Sequence, residues 1–113
     1  MELDITSREI ELIESYIDQA SDPQLISRIR HNALADVEKN TIAPAIRKLI
    51  TFGVNAGVEI TDRGILIDLK RVYSDMQGNN IKTLLIVHQA TSLYSQLIDE
   101  YKGAVWRKNN LGQ

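Results

Sequence analysis

The chain predicts an all-α fold, an antiparallel up-and-down bundle of four principal helices plus a long C-terminal helix or extension. Three observations lead there. Apolar residues recur at helical spacing through most of the 113 residues. Helix-start signals stand at Thr6, at Asp22-Pro23 and at Asn79-Asn80, and a glycine stop stands at Gly78. The links between the periodic segments are only one to four residues long, which turns successive helices antiparallel. The expected helices cover about residues 6–20, 22–39, 42–57, 62–77 and 80–102, in a single domain spanning 1–113.

Thr6-Ser7-Arg8-Glu9 opens the first helix as a capping box. Ile10, Ile13, Ile17 and Ala20 then share a face with Tyr16 beside it, while Glu11, Glu14 and Asp18 form a solvated side. Asp22 caps the second helix, with Pro23 where a missing N–H costs nothing. Leu25, Ile26, Ile29, Ala33 and Val37 are its expected core face; Arg28, Arg30 and His31 lie outside.

Asn40-Thr41 breaks and restarts the chain, and Pro44 sits in the first turn of the third helix. Ile42, Ile46, Leu49, Ile50, Gly53 and Gly57 line one face. The two glycines read as a place where another helix comes close. A phosphate loop needs a strand before the glycines and a lysine after them, and both are missing.

Residues 58–61 form the one β-favouring run. A hairpin with residues 65–67 across Thr61-Asp62-Arg63-Gly64 competes here with a helix starting at 62. The series Ile65, Leu66, Leu69, Val72, Tyr73, Met76 has helical spacing, so the helix is preferred, with Gly64 its weakest point. In the last helix Ile86, Val87, Ala90, Leu93, Tyr94, Leu97, Ile98 and Tyr101 form a continuous apolar arc, and Gly103 is its expected stop. Residues 104–113 are expected to form a tail that frays.

The 13 basic and 15 acidic residues leave a net charge of -2, which argues against a nucleic-acid partner. With no cysteine there is neither a disulfide framework nor thiolate chemistry. The acidic, charge-interrupted start lacks the pattern of a secretory signal. The longest apolar run, Leu84-Leu85-Ile86-Val87, falls far short of the roughly 20 residues that span a bilayer. A cytoplasmic protein is expected.

Catalytic constellations are weak. His88 stands among Ser92, Ser95 and Asp99, but no acid orients it and no oxyanion donors converge, so a polar edge is the better reading. His31 and His88 have no metal-ligand spacing. No enzyme activity, cofactor or metal is expected.

A set of local patterns carries a resemblance. Asp22-Pro23, then Ala43-Pro44-Ala45-Ile46-Arg47-Lys48-Leu49, then Val58-Glu59-Ile60-Thr61 running into Asp62-Arg63-Gly64-Ile65-Leu66-Ile67, resembles the immunity proteins of pediocin-like (class IIa) bacteriocins. The resemblance covers about residues 20–78. It implies a soluble helical bundle acting as a non-catalytic, cytoplasmic protector. Its implied partner is the membrane-embedded mannose phosphotransferase permease with bacteriocin engaged on it. It also implies that the C-terminal half sets which bacteriocin is countered, and so points to Arg63, Lys70, Arg71, His88, Trp106, Arg107 and Lys108 as the partner-binding set.

Two other classes stand beside it. One is a small helical interaction or regulatory protein, for example phage- or plasmid-encoded, acting as a homodimer; its signature is exposed apolar surface. The other is a small helical mutase of the chorismate type, which needs cations converging on a dicarboxylate, for which only Arg28, Arg47 and Lys48 offer themselves.

Overall fold

A computed structural model of the chain describes residues 3–111. It is mostly helical, with one small antiparallel sheet. The capping box forms as spaced: the Glu9 N–H donates to Thr6 Oγ1 and the Thr6 N–H to Glu9 Oε1, both at 3.0 Å. These two bonds start α1 (Ser7–Asp18), which buries Ile10, Ile13 and Tyr16. The Asp22 carboxylate accepts the Gln24 N–H at 2.9 Å and starts α2 (Pro23–Arg30).

α2 is shorter than its expected span of 22–39. It ends at Arg30 because Asn32 takes a left-handed conformation, φ 58°, which asparagine tolerates better than most residues. Arg28 then steadies the break by donating to the Ala33 carbonyl at 2.9 Å. As a result Ala33 and Val37 are exposed rather than part of the core. Helical backbone resumes at Asp36, so the break expected at Asn40-Thr41 lies instead at residues 31–35. A π-helical turn (Glu38–Ile42) leads directly into α3 (Ala43–Ala56). The wider turn falls where Pro44 has no N–H to return to the preceding turn.

Gly57, at φ 66°, closes α3, and the Val58 N–H reaches back to the Gly53 carbonyl at 2.9 Å. The next segment corrects the helix expected from residue 62. β1 (Ile60–Asp62) and β2 (Ile65–Ile67) form an antiparallel hairpin with Ile60 opposite Ile67, Thr61 opposite Leu66 and Asp62 opposite Ile65. Arg63 and Gly64 both have positive φ, 51° and 81°, the signature of the two-residue turn whose twist suits a hairpin. α4 (Leu69–Met76) therefore starts seven residues later than expected, capped by Asp68, which accepts the Lys70 N–H at 3.0 Å.

The expected last helix is two helices. α5 (Asn80–Gln89) starts where Asn79 accepts the Lys82 N–H at 3.1 Å. It breaks at Ala90, and α6 (Thr91–Leu111) follows. Gly103 does not stop α6; residues 104–111 of the expected tail are helical, and 112–113 lie outside the described residues.

α3 is the hub, packing against α1, α4, α5 and α6. Ile46, Leu49 and Ile50 on it are fully buried, as are Tyr94 and Leu97 on α6. Gly53 lets those layers meet: a Cβ there would lie 2.6 Å from Leu97 Cδ2 and 2.7 Å from Leu69 Cδ1. Close helix approach explains this glycine. Gly57 is a cap.

Candidate functional site

The seven residues singled out by the resemblance occupy three places. Arg63 stands in the hairpin turn, and Lys70 and Arg71 follow in the first turn of α4, all exposed. Trp106, Arg107 and Lys108 lie on the final turns of α6, exposed, with Trp106 at 58% of its full area. His88 is apart from both. It is half-buried at the end of α5, where its Nδ1 N–H donates to the Ala20 carbonyl and its ring meets the edge of Tyr16 at 5.6 Å. His88 thus ties α5 to the end of α1 and is a structural group rather than the polar edge expected.

Charge engagement separates the cations. Lys48 pairs with Glu9 at 3.3 Å and Lys102 with Glu14 at 3.1 Å. Arg28 is held by Glu38, and Arg47 donates to Asn80 Oδ1 at 2.9 Å and Thr83 Oγ1 at 3.3 Å. The three cations that offered themselves for a mutase are thus engaged, and only Arg47 and Lys48 border a common depression, which also contains Asp4. By contrast, among the described residues Arg63, Lys70, Arg71, Arg107 and Lys108 make no ion pair, nor do Arg30 and Lys82 outside the candidate set. The five candidate cations remain available to an external anion or carbonyl.

The acids in the engaged pairs are tuned by their surroundings. Burial pushes the Glu38 carboxyl up, but its bonds from Arg28 and the Ala35 N–H outweigh this and hold it below the ordinary carboxylate value. Glu9 is likewise pushed up by burial and pulled further down by the Thr6 N–H and Lys48. Both acids serve the scaffold.

The α6 end is a short helical block carrying an exposed indole and two cations. Its geometry is local: the Asn110 amide donates to the Trp106 carbonyl at 2.8 Å, and the Arg107 guanidinium lies over Gly103. Such a block presents apolar area and positive charge together. Among the described residues, no three metal-ligating side chains gather, and no helix is long and apolar enough to cross a membrane.

Sequence reasoning missed a second exposed group. Ile65 and Leu66, taken for helix core, stand on β2 at 69% and 61% of their full areas. The usable signal was Arg63-Gly64 between two short β-favouring runs. Comparison with known families, curated proteins and solved structures finds no match to this chain.

Proposed function

We propose that this chain is a non-catalytic, cytoplasmic immunity protein of the kind that counters pediocin-like bacteriocins. It would bind the mannose permease once bacteriocin has engaged it and so prevent killing. The observation that carries the reading is the α6 end, where exposed Trp106 adjoins the unpaired cations Arg107 and Lys108. Tryptophan and arginine are frequent energetic anchors of protein interfaces, and an indole left in water gains area when a partner covers it. Arg63, Lys70 and Arg71 supply a second cationic contact near the hairpin. The helices, read as one up-and-down bundle domain, act as the scaffold that holds these groups.

A protection assay tests the reading. A sensitive strain carrying the mannose permease and expressing this chain is challenged with a panel of pediocin-like peptides. Survival against a subset is expected, reduced at least tenfold by Trp106→Ala combined with Lys108→Glu at equal protein abundance. Unchanged killing by every peptide, with the protein abundant, overturns it.

One observation favours a second reading, a small helical regulatory protein acting as a homodimer. It is the apolar pair Ile65 and Leu66 left exposed on the hairpin.

A further inference from the structure

The hairpin has two unlike edges. Its two-residue turn makes Asp62 and Ile65 the pair that exchange both backbone bonds. By alternation, Thr61 and Leu66 point their N–H and C=O groups away from each other, to the two outer edges. The β1 edge is covered: α6 packs along β1, and Gln96 Nε2 donates to the Thr61 carbonyl at 3.1 Å. The β2 edge is bare. Among the described residues nothing bonds to the outward N–H and C=O of Leu66. Apart from its shortness β2 carries no edge protection in sequence, since Ile65-Leu66-Ile67 contains no proline and no charge.

We propose that the β2 edge docks a second copy of this chain, antiparallel, with Leu66 on the two-fold axis. The register is dictated by the backbone. Leu66 is the one residue of β2 whose polar groups face outward, so it alone can exchange two bonds with its own symmetry mate. Ile65 of each copy then lies opposite Ile67 of the other, and the two Leu66 side chains meet on one face. Each exposed residue gains an apolar cross-strand neighbour by this pairing.

Charge selects a second copy over an unrelated strand. In the same register Gly64 falls opposite Asp68 of the second copy, which brings the unpaired Arg63 beside that carboxylate, twice by symmetry. Asp68 Oδ1 already accepts the Lys70 N–H, which leaves Oδ2 for Arg63 of the second copy. The result is a continuous four-stranded sheet across the dimer. Three-residue strands make a small interface, below the roughly 1,200 Å² of stable complexes, so the dimer is reversible. The proposal does not rest on the bacteriocin reading; in the dimer Arg63 is engaged, which leaves Lys70 and Arg71 to the second cationic contact.

Sedimentation of the full chain from about 10 µM to about 1 mM spans the weak affinities that suit so small an interface. The average mass is expected to rise from the 12.8 kDa monomer towards twice that value. Leu66→Lys, which sets two like charges on the axis at an exposed position, is expected to hold it at the monomer throughout. The absence of native cysteine allows a second, register-specific readout. A hydrogen-bonded antiparallel pair places Cα atoms about 5.5 Å apart, within disulfide reach. Leu66→Cys is therefore expected to form an oxidised dimer at least tenfold faster than Thr61→Cys on the covered edge. A wild-type chain that stays monomeric to about 1 mM overturns the proposal and leaves the edge to a strand of another protein. Equal crosslinking of the two cysteine variants overturns the register.

Discussion

The Arg28 guanidinium and the Glu38 carboxylate form a two-bonded fork across the break between α2 and the helical run into α3, with Nη2 2.9 Å from Oε2. Glu38, at 3% exposure, also accepts the Ala35 N–H at 2.7 Å. One carboxylate thus fixes the path of residues 31–38. Glu38→Gln keeps the shape but removes the charge that Arg28 faces. Breaking a fully buried pair costs about 3–5 kcal/mol, and the partial exposure of Arg28 lowers the expected loss to about 1–3 kcal/mol. The urea midpoint at neutral pH measures it.

The same carboxylate sets an acid response. The folded pKa values of Glu38 and Glu9 lie below their reference of 4.5, so the unfolded chain binds protons first as pH falls. Their stabilisation is present above pH about 4.5 and is lost as pH drops through the folded values. Glu38→Gln is expected to flatten the acid limb of the stability–pH profile. An acid limb as steep as that of the wild type would contradict this.

Two buried tyrosines should respond oppositely to loss of the hydroxyl. Tyr101 Oη accepts the Ile5 N–H and donates to the Ile5 carbonyl, both at 2.9 Å. Tyr101→Phe leaves two backbone groups unpaired and is expected to cost about 1–3 kcal/mol. The Tyr94 hydroxyl is buried with no hydrogen-bond partner. Tyr94→Phe is expected to be neutral or stabilising by up to about 1 kcal/mol. Burial raises the pKa of both phenols above the reference of 10.0, so their contribution is full below pH 10 and is lost as pH rises beyond it. Thermal unfolding of the two variants at neutral pH and above pH 10 checks both statements.

Gly53→Ala tests the α3 hub. Alanine favours a helix by about 1 kcal/mol over glycine. Here its methyl would meet Leu97 and Leu69 below 3 Å, and both neighbours are buried. Overpacking of that kind costs about 1–3 kcal/mol, so a net loss near 1 kcal/mol is expected. A gain in the denaturation midpoint would show that the leucines move aside freely.

The helix starts were legible because they depend on neighbouring side chains. Thr6 with Glu9, Asp22 with Pro23, and Asn79 each cap the helix they announce. The interruptions were not legible, because they depend on distant partners or single backbone angles. Asn32 stops α2 and Arg63 turns the hairpin through positive φ, a conformation their neighbours in sequence do not demand. The hairpin also has a helical spacing of apolar residues, and the strands are too short for a period of two to stand out. Of the candidate set, Trp106, Arg107 and Lys108 are exposed, and their contact role is the proposal made above. His88 failed as a surface group because its partner, the Ala20 carbonyl, lies 68 residues away in sequence.

The central functional claim is contact between the α6 end and the bacteriocin-engaged permease. Its most direct measurement is co-purification of the tagged chain with detergent-solubilised mannose permease, with and without a pediocin-like peptide. Capture is expected to require the peptide and to fall at least tenfold in Trp106→Ala with Lys108→Glu, while circular dichroism of the variant is unchanged. Absence of capture under both conditions, or equal capture by the variant, would contradict it.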